Sequence, residues 1–469
     1  MLIAGVFSNF FNGALSTIAV VPGCRVASCG VCNTCPLTFD VTLRTGNGLR
    51  MRVAVISINY SPELTGISVY STGMAEHFAS AGFAVDCYTA FPYYPHWAKA
   101  PGDQRALFRC EELAGVSVRR HYIFVPSRLS TLKRMLFELS FIASVSLGYL
   151  LGPRADCTVI VSPPLFLGLP VGLIARLKGS KTVFHVQDLQ PDAAVDLGML
   201  RRGRLADLFY FLERQTYRLC DRVSTISQSM LERVAGKGVP RAKLVLFRNW
   251  ANDEAVVPLS RRTAFRRAWK LGEKFVVLYS GNIGVKQGLE SLLECAEHLR
   301  ADPGIVIVIV GDGGEKESLA RRAGELGLGN VVFKPLQSVA RLGRLLATAD
   351  VSVIPQKAGV KDIVLPSKLG NLMASARPIV AGAAPDSELG RIFLDADCGV
   401  LVEPGNGRQF AEAILALRTD PERCLRQGRN GRAYMEQHLS SRVVLERFTD
   451  TLRSLAAGPQ PRVMGSNTA

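Results

Sequence analysis

The stretch FVVLYSGNIGVKQGLESLLECAEHL, residues 275–299, constrains the fold more than any other part of the chain. Phe275–Tyr279 is an unbroken apolar run of strand length, which suits a strand buried on both faces of a parallel sheet. After it, Gly281, Gly284 and Gly288 let the backbone turn tightly and come close to a ligand, and a helix is expected to begin near Gln287. The free N–H groups and positive dipole end of that helix, together with the Lys286 ammonium and Asn282 beside it, make a seat for an anion, and for a diphosphate before a carboxylate. An ordinary strand-to-helix turn with a solvated lysine has the same sequence, and this stretch alone does not choose.

The 469 residues suffice for two domains of about 200 residues each, and the 48 % apolar share supplies them with cores. A formal charge of +16 implies an anionic partner: a nucleotide, a phospholipid surface or a nucleic acid. With no RNP or finger motif and no long basic run, no nucleic-acid partner is expected. Of the eleven cysteines, Cys24, Cys29, Cys32 and Cys35 cluster with spacings that partly match iron–sulfur or zinc ligands. No packed scaffold surrounds them, so no metal site is assigned, and whether residues 1–50 bind metal stays open. The other seven, scattered singly from Cys87 to Cys424, read as thiols buried in a reducing compartment.

Residues 1–50 are atypical: an apolar opening interrupted by Asn9 and Asn12, without the basic region of a signal peptide. Met51 then opens MRVAVISINYSPE as a first strand does, so translation is expected to begin at or near Met51, with a membrane-associating leader as the alternative. Strands are expected at Val53–Ile58, Val85–Tyr88, Val116–His121, Cys157–Ser162, Lys181–Val186 and Arg222–Ile226, with a helix carrying Val69, Met74 and Phe78 after the first. The loop FPYYPHWAKA is too rich in proline for regular structure. Residues 128–151, with Arg128, Lys133 and Arg134 before an interrupted apolar run, read either as a core helix or as a helix on an anionic membrane surface.

The strand rhythm lapses over Arg248–Leu271, the expected hinge, and returns at Phe275–Tyr279, Ile305–Val310, Val331–Phe333, Val351–Ile354, Pro378–Ala381 and Gly399–Val402. A last helix near Ser440–Ala456 has no strand to follow and is placed back across the cleft, ahead of a frayed tail from Gly458. The fold class is therefore α/β, two doubly wound, Rossmann-like parallel-sheet units facing a central cleft. The boundaries are 1–50 for the leader, 51–248 and 249–440 for the two domains, and 441–469 for the crossover helix and tail.

No G-x-G-x-x-G fingerprint follows the first strand of either domain, and neither a P-loop nor a G-x-S-x-G elbow occurs. What remains is a set of loops at strand C-termini: SPELTGIS with Gly66, FHVQDLQPD with His185 and Asp188, the turn of Gly281, Asn282 and Lys286, GDGGE with Gly311 and Asp312, and PSKLGNLMAS with Ser367, Lys368 and Asn371.

From Met51 to about residue 450 these motifs resemble the GT-B glycosyltransferases of family 4, and most closely the colanic-acid-type exopolysaccharide transferases: INYSPELTG, PYYP, HVQDLxPD, YSGNIGxKQGLE, VGDGxE and LPSKLxNxxAS occur in that order. The resemblance implies Lys286 and Gly66 at the donor diphosphate, His185 at the donor sugar and Asp188 on the acceptor side. Two departures stand out. Asn282 occupies the position where many members carry an arginine, and the E-x7-E pair falls near Ile363, beside Asp362, and at Asn371. Asn371 offers a ribose hydroxyl a hydrogen bond without charge, with Ser367 and Lys368 sharing the task.

The resemblance further implies sugar transfer from a nucleotide diphosphate donor, with retention, to a lipid-diphosphate-linked saccharide at the cytoplasmic membrane face. No protein nucleophile, metal or other cofactor is required. A noncatalytic nucleotide-sugar-binding scaffold and a nucleotide-sugar epimerase are the alternatives, and the donor's base and sugar are not legible.

Overall fold

The computed structural model describes residues 50–458 apart from 64–65, 95, 128–129, 197–202 and 359–364. The expectations for the leader and its cysteines, for Asp362 and Ile363, and for the tail beyond Gly458 lie outside the described residues.

The first sheet comprises β1 (Arg52–Ile56), β2 (Ala84–Ala90), β3 (Phe108–Leu113), β4 (Val116–His121), β5 (Cys157–Ser162), β6 (Lys181–Val186), β7 (Arg222–Thr225) and β8 (Leu244–Leu246). Their spatial order is β3-β4-β2-β1-β5-β6-β7-β8, parallel except for β3 against β4. The second sheet is all parallel, in the order β11-β10-β9-β12-β13-β14, from β9 (Phe275–Ser280), β10 (Ile305–Val310), β11 (Val331–Lys334), β12 (Val351–Ile354), β13 (Ile379–Gly382) and β14 (Gly399–Val402). Both sheets are covered on both sides, so central strands such as IVIVIV in β10 are buried at every residue and carry no polar alternation. In each sheet the chain winds outward in both directions from its first strand, β1 or β9. That reversal opens a crevice at the C-terminal end of that strand, where the loops with unusual sequences lie.

Two strands escaped the sequence. FRCEEL of β3 is polar and largely exposed because it is an edge strand, hairpinned to β4 through Ala114 and Gly115, both at positive φ. LVL of β8 is three residues on the opposite edge. In the helix Ile67–Ser80, Met74 and Phe78 are buried as expected, whereas Val69 points outward, 44 % exposed. Among the seven scattered cysteines, Cys110 on β3 is exposed and Cys424 half-buried; the other five are buried.

The helix Thr131–Leu151 has two faces. Phe137, Phe141, Ile142, Val145 and Tyr149 enter the first domain's core, while Leu132, Met135, Leu136, Leu139, Leu147, Leu150 and Leu151 stand exposed along the other side. By length and composition, Leu132–Leu151 is the one helix among the described residues able to cross a membrane, with a mean hydropathy of 1.4.

The last helix, Ser441–Ala457, leaves the second domain and lays Val444, Leu445, Phe448 and Leu452 into the core of the first, with Phe448 stacked 3.8 Å from Phe247. The chain thus crosses between domains twice, and the crossings run side by side: the Ala251 N–H donates to the Leu439 carbonyl (2.8 Å), and Asp253 accepts from the Ser441 N–H and hydroxyl. A second tie joins two helix starts. Glu388 opens the helix Glu388–Ala396 in the second domain, and its carboxylate accepts from the N–H groups of Gln228 and Ser229, which open Gln228–Gly236 in the first.

Candidate active site between the two sheets

The half of the candidate site on the second domain is built where β9 and β10 end. The Tyr279 hydroxyl donates to the Asn282 carbonyl (2.5 Å), the Ile283 N–H to the Asp312 carbonyl (2.8 Å), and the Glu315 N–H to the Ile283 carbonyl (3.1 Å), stitching SGNIG to GDGGE. The two loops meet so closely that a Cβ on Gly311 would lie 1.9 Å from the Gly281 carbonyl oxygen. Lys286 is exposed on a single 3-10 turn, Val285–Gln287. Gly288 ends that turn in the left-handed region at φ 58°, with Lys357 N 2.6 Å from where its Cβ would be. This break delays the regular helix to Glu290–His298 in place of the expected start near Gln287, and its first turn carries Glu290. A carboxylate there offsets the helix dipole, so positive charge at the turn comes from lysine side chains.

Lys368 is one of these. It lies half-buried ahead of the helix Leu369–Ala374, with its ammonium 3.8 Å from the centre of the Tyr279 ring, and burial pushes its pKa down to about 7. Ser367 beside it is exposed. Asp312 is exposed too; it pairs with Lys316 (3.7 Å) and accepts from the Gly313 N–H. Asn371, expected at the ribose, makes a contact to the linker. Its Oδ1 accepts from the Asn252 N–H (2.8 Å) and so fixes the interdomain linker to the donor loop.

The half on the first domain forms at the ends of β1, β2 and β6. Gly66 caps the helix Ile67–Ser80 at φ 61°, ψ −136°, a conformation open essentially to glycine alone, and faces open space. Glu63, 6 % exposed, gathers the neighbouring loops: its carboxylate accepts from the N–H groups of Tyr93 and Tyr94 (2.9 Å each) and from Asn59 Nδ2 (2.7 Å). The rings of Tyr93 and Trp97 pack on Phe137 of the helix Thr131–Leu151. Glu63 was not singled out in the sequence; a lone acid between SP and LTG in an otherwise neutral loop was the available signal.

Partial burial raises the Asp188 pKa, while the Lys286 charge from the opposite domain and Arg134 from the helix Thr131–Leu151 pull it back down. His185, by contrast, is turned away. It is 1 % exposed, with Nδ1 2.9 Å from the Ser224 hydroxyl, Nε2 3.0 Å from Gln187 Nε2, and its ring against Phe247. Desolvation lowers its pKa to about 3, so it is a neutral core imidazole whose ring nitrogens are both occupied. The period of β6 explains the difference: a residue inside a strand buried on both faces points into one core or the other, whereas Gln187 and Asp188 lie past the strand's end. Gln187 continues the network to the linker, accepting from Asn249 Nδ2 (3.2 Å). Among the described residues no group of three His, Cys, Asp or Glu side chains is arranged to hold a metal ion.

Residues 65–250 match the family model described as a glycosyl transferase 4-like domain, and residues 261–434 match that of the glycosyl transferases group 1. Escherichia coli (strain K12) WcaI, named as a colanic acid biosynthesis glycosyl transferase, is 37 % identical over 413 residues, spanning 86 % of this chain and all of the relative. Pseudomonas aeruginosa WbjE, named as a glycosyltransferase, is 26 % identical over 64 % of this chain and 75 % of its own length. Among solved structures, sucrose-phosphate synthase of Thermosynechococcus elongatus superposes with a TM-score of 0.67 at 18 % identity, covering 87 % of this chain and 100 % of the other. Anabaena HepE, solved in complex with UDP and glucose, superposes at 0.63 with 14 % identity, covering 86 % and 100 %. These two likenesses establish the fold, two facing α/β domains of the GT-B type.

Proposed function

Since the chain belongs to the family 4 glycosyltransferases, we propose that it moves a sugar from a nucleotide diphosphate sugar to a lipid-linked glycan, with retention at the anomeric carbon, in exopolysaccharide assembly. The observation that carries this reading is the exposed Lys286 on the turn stitched to GDGGE, whose charge acts on Asp188 of the first domain. Negative charge accumulates on the departing diphosphate as the glycosidic bond breaks, and a cation already in place stabilises it without reorganisation. Lys286, on an exposed turn stitched to GDGGE, suits that task, with Gly66 approaching the same phosphates from the first domain. Gly281, Asn282, Gly311 and Asp312 shape the seat, and Ser367, Lys368 and Asn371 close its far side. Asp188 belongs to the acceptor side, where a carboxylate with a raised pKa orients a sugar hydroxyl and receives its hydrogen bond. The UDP complex of the Anabaena neighbour supports a nucleotide-sugar donor and leaves the base open here. No cofactor is required in this scheme.

The exposed leucines and Met135 of the helix Thr131–Leu151, with Lys133 and Arg134 at its start, favour a peripheral position on an anionic membrane face, on the cytoplasmic side. A lipid-diphosphate-linked acceptor would be presented there. The commitment of Asn371 Oδ1 to the linker favours the second reading, a scaffold that binds nucleotide sugars without turnover.

One assay separates the two. Nucleoside diphosphate release is measured from a panel of UDP and GDP sugars, with membranes as the acceptor source, for the wild type and Lys286→Ala. Release from one donor, reduced by about 10² or more in the variant, is the expected result. Nucleotide binding without release from any donor establishes the scaffold in its place.

A further inference from the structure

Lys368 is a half-buried cation that no acidic group meets among the described residues. Other sequestered cations among the described residues have acceptors: Arg266 pairs with Asp350, Lys237 with Glu213 and Asp192, and Arg248 with Glu388, while Lys178 donates to the carbonyls of Tyr149, Leu150 and Gly152 and Arg377 to those of Leu259 and Ala347. A lysine that only covered apolar surface with its stem would extend its ammonium to water. The Lys368 ammonium instead lies over the Tyr279 ring, 3.0 Å from where a Cβ of Gly281 would stand. It is thus lodged beneath the turn whose next residue, Asn282, is neutral and exposed. An ammonium withdrawn from water without an anion is costly, and the cost is recovered when a ligand supplies the anion.

We propose that Lys368 is a second cation of the donor site, binding the diphosphate from below the β9 turn while Lys286 binds it from the exposed side, and so supplying the charge that Asn282 does not. This rests on the reading of that turn as the diphosphate seat. The assignment separates Lys368 from the ribose, toward which its place in the PSKLGN loop pointed. It also gives the site a proton linkage. The titratable group packed against the ammonium among the described residues is the Tyr279 phenol, whose proton is engaged with the Asn282 carbonyl and whose pKa burial pushes up. Lys368 is charged below about pH 7 and progressively neutral above it. An arriving diphosphate favours the charged form, so binding takes up a proton at alkaline pH, and affinity falls as pH rises through and beyond 7.

The test is equilibrium binding of UDP, GDP and the two nucleosides to the full chain, as wild type, Lys368→Met and Lys286→Ala, at pH 6.5 and 8.5. Lys368→Met keeps the stem and removes the charge; it is expected to weaken the bound nucleoside diphosphate at least about tenfold at pH 6.5, to leave the nucleoside unchanged, and to flatten the pH dependence. Calorimetry of the wild type at pH 8 in buffers of different ionisation enthalpy checks the linkage without any variant, and proton uptake of a substantial fraction of one equivalent is expected. Wild-type affinity in Lys368→Met, equal losses for nucleoside and diphosphate, or no proton uptake by the wild type overturns the assignment. Wild-type protein that binds nucleoside diphosphates no better than nucleosides overturns the diphosphate reading of the turn itself.

Discussion

Glu388 joins the domains by a contact whose removal has a size and a readout. Its side chain is 4 % exposed, and its carboxylate accepts from the N–H of Gln228 (2.9 Å), the N–H and hydroxyl of Ser229 (2.9 Å each) and Arg248 Nη1 (3.0 Å). An anion at the start of the helix Gln228–Gly236 also complements that helix's dipole. Glu388→Ala leaves the Arg248 guanidinium and two N–H groups without their acceptor. Removing one partner of a buried pair costs about 3–5 kcal/mol; because the opened gap admits water to Arg248 and to the helix start, about 3 kcal/mol is expected. That corresponds to a shift of roughly 150-fold from tied to untied domains. Glu388→Gln keeps one acceptor and the shape, so about half that loss is expected. Urea unfolding monitors the stability, and small-angle scattering monitors the spread of domain separations, which widens in Glu388→Ala and contracts again with a saturating donor. A loss below about 0.5 kcal/mol together with unchanged scattering refutes the tie.

Two further outcomes follow from buried groups. His185, neutral in the fold with its pKa lowered to about 3, is protonated in the unfolded chain below about pH 6.5, so the unfolded state binds the extra proton and stability falls with acidification between those values. Between pH 6.5 and 4 its share is roughly 3 kcal/mol; the unfolding free energy of His185→Gln declines less steeply across that window by this amount, with His121, lowered to about 4, still contributing in both. Gly288→Ala forces a side chain into left-handed backbone 2.6 Å from Lys357 N, which is expected to cost about 2–3 kcal/mol in urea unfolding and to lower kcat/KM for the donor by displacing the Lys286 turn.

The parallel strands were mostly legible because burial on both faces leaves an apolar run: six of them, β4, β5, β6, β10, β12 and β14, coincide with their expected bounds to the residue, although β4, VSVRRH, is partly polar. The edges were not, since β3 must stay polar to keep its outer side soluble and β8 is too short to show a period. At the site the loops were legible as places, through their glycines and their position after strands. Side-chain direction was not. His185 and Asp188 lie three residues apart in one motif, yet the strand ends between them, so one is buried in the core and the other lies half-buried in the loop beyond. Asn371 shows the same limit: its neighbours placed it on the donor loop, but its acceptor is used by Asn252, which no local pattern signals.

That bond also ties the PSKLGN loop to the interdomain linker. Lys368 sits three residues before Asn371, one under the β9 turn and the other on the linker beside the Ala251–Ser440 bridge. A glutamate at 371 would present acceptors alone and would bring a negative charge toward the donor; the asparagine gives up the charge and holds the linker backbone at a single fixed point. On the other side of the same linker, Asn249 meets Gln187, next to Asp188. Two hydrogen bonds, Asn252 to Asn371 and Asn249 to Gln187, thus hold the PSKLGN loop and the HVQD loop to the same short stretch of linker.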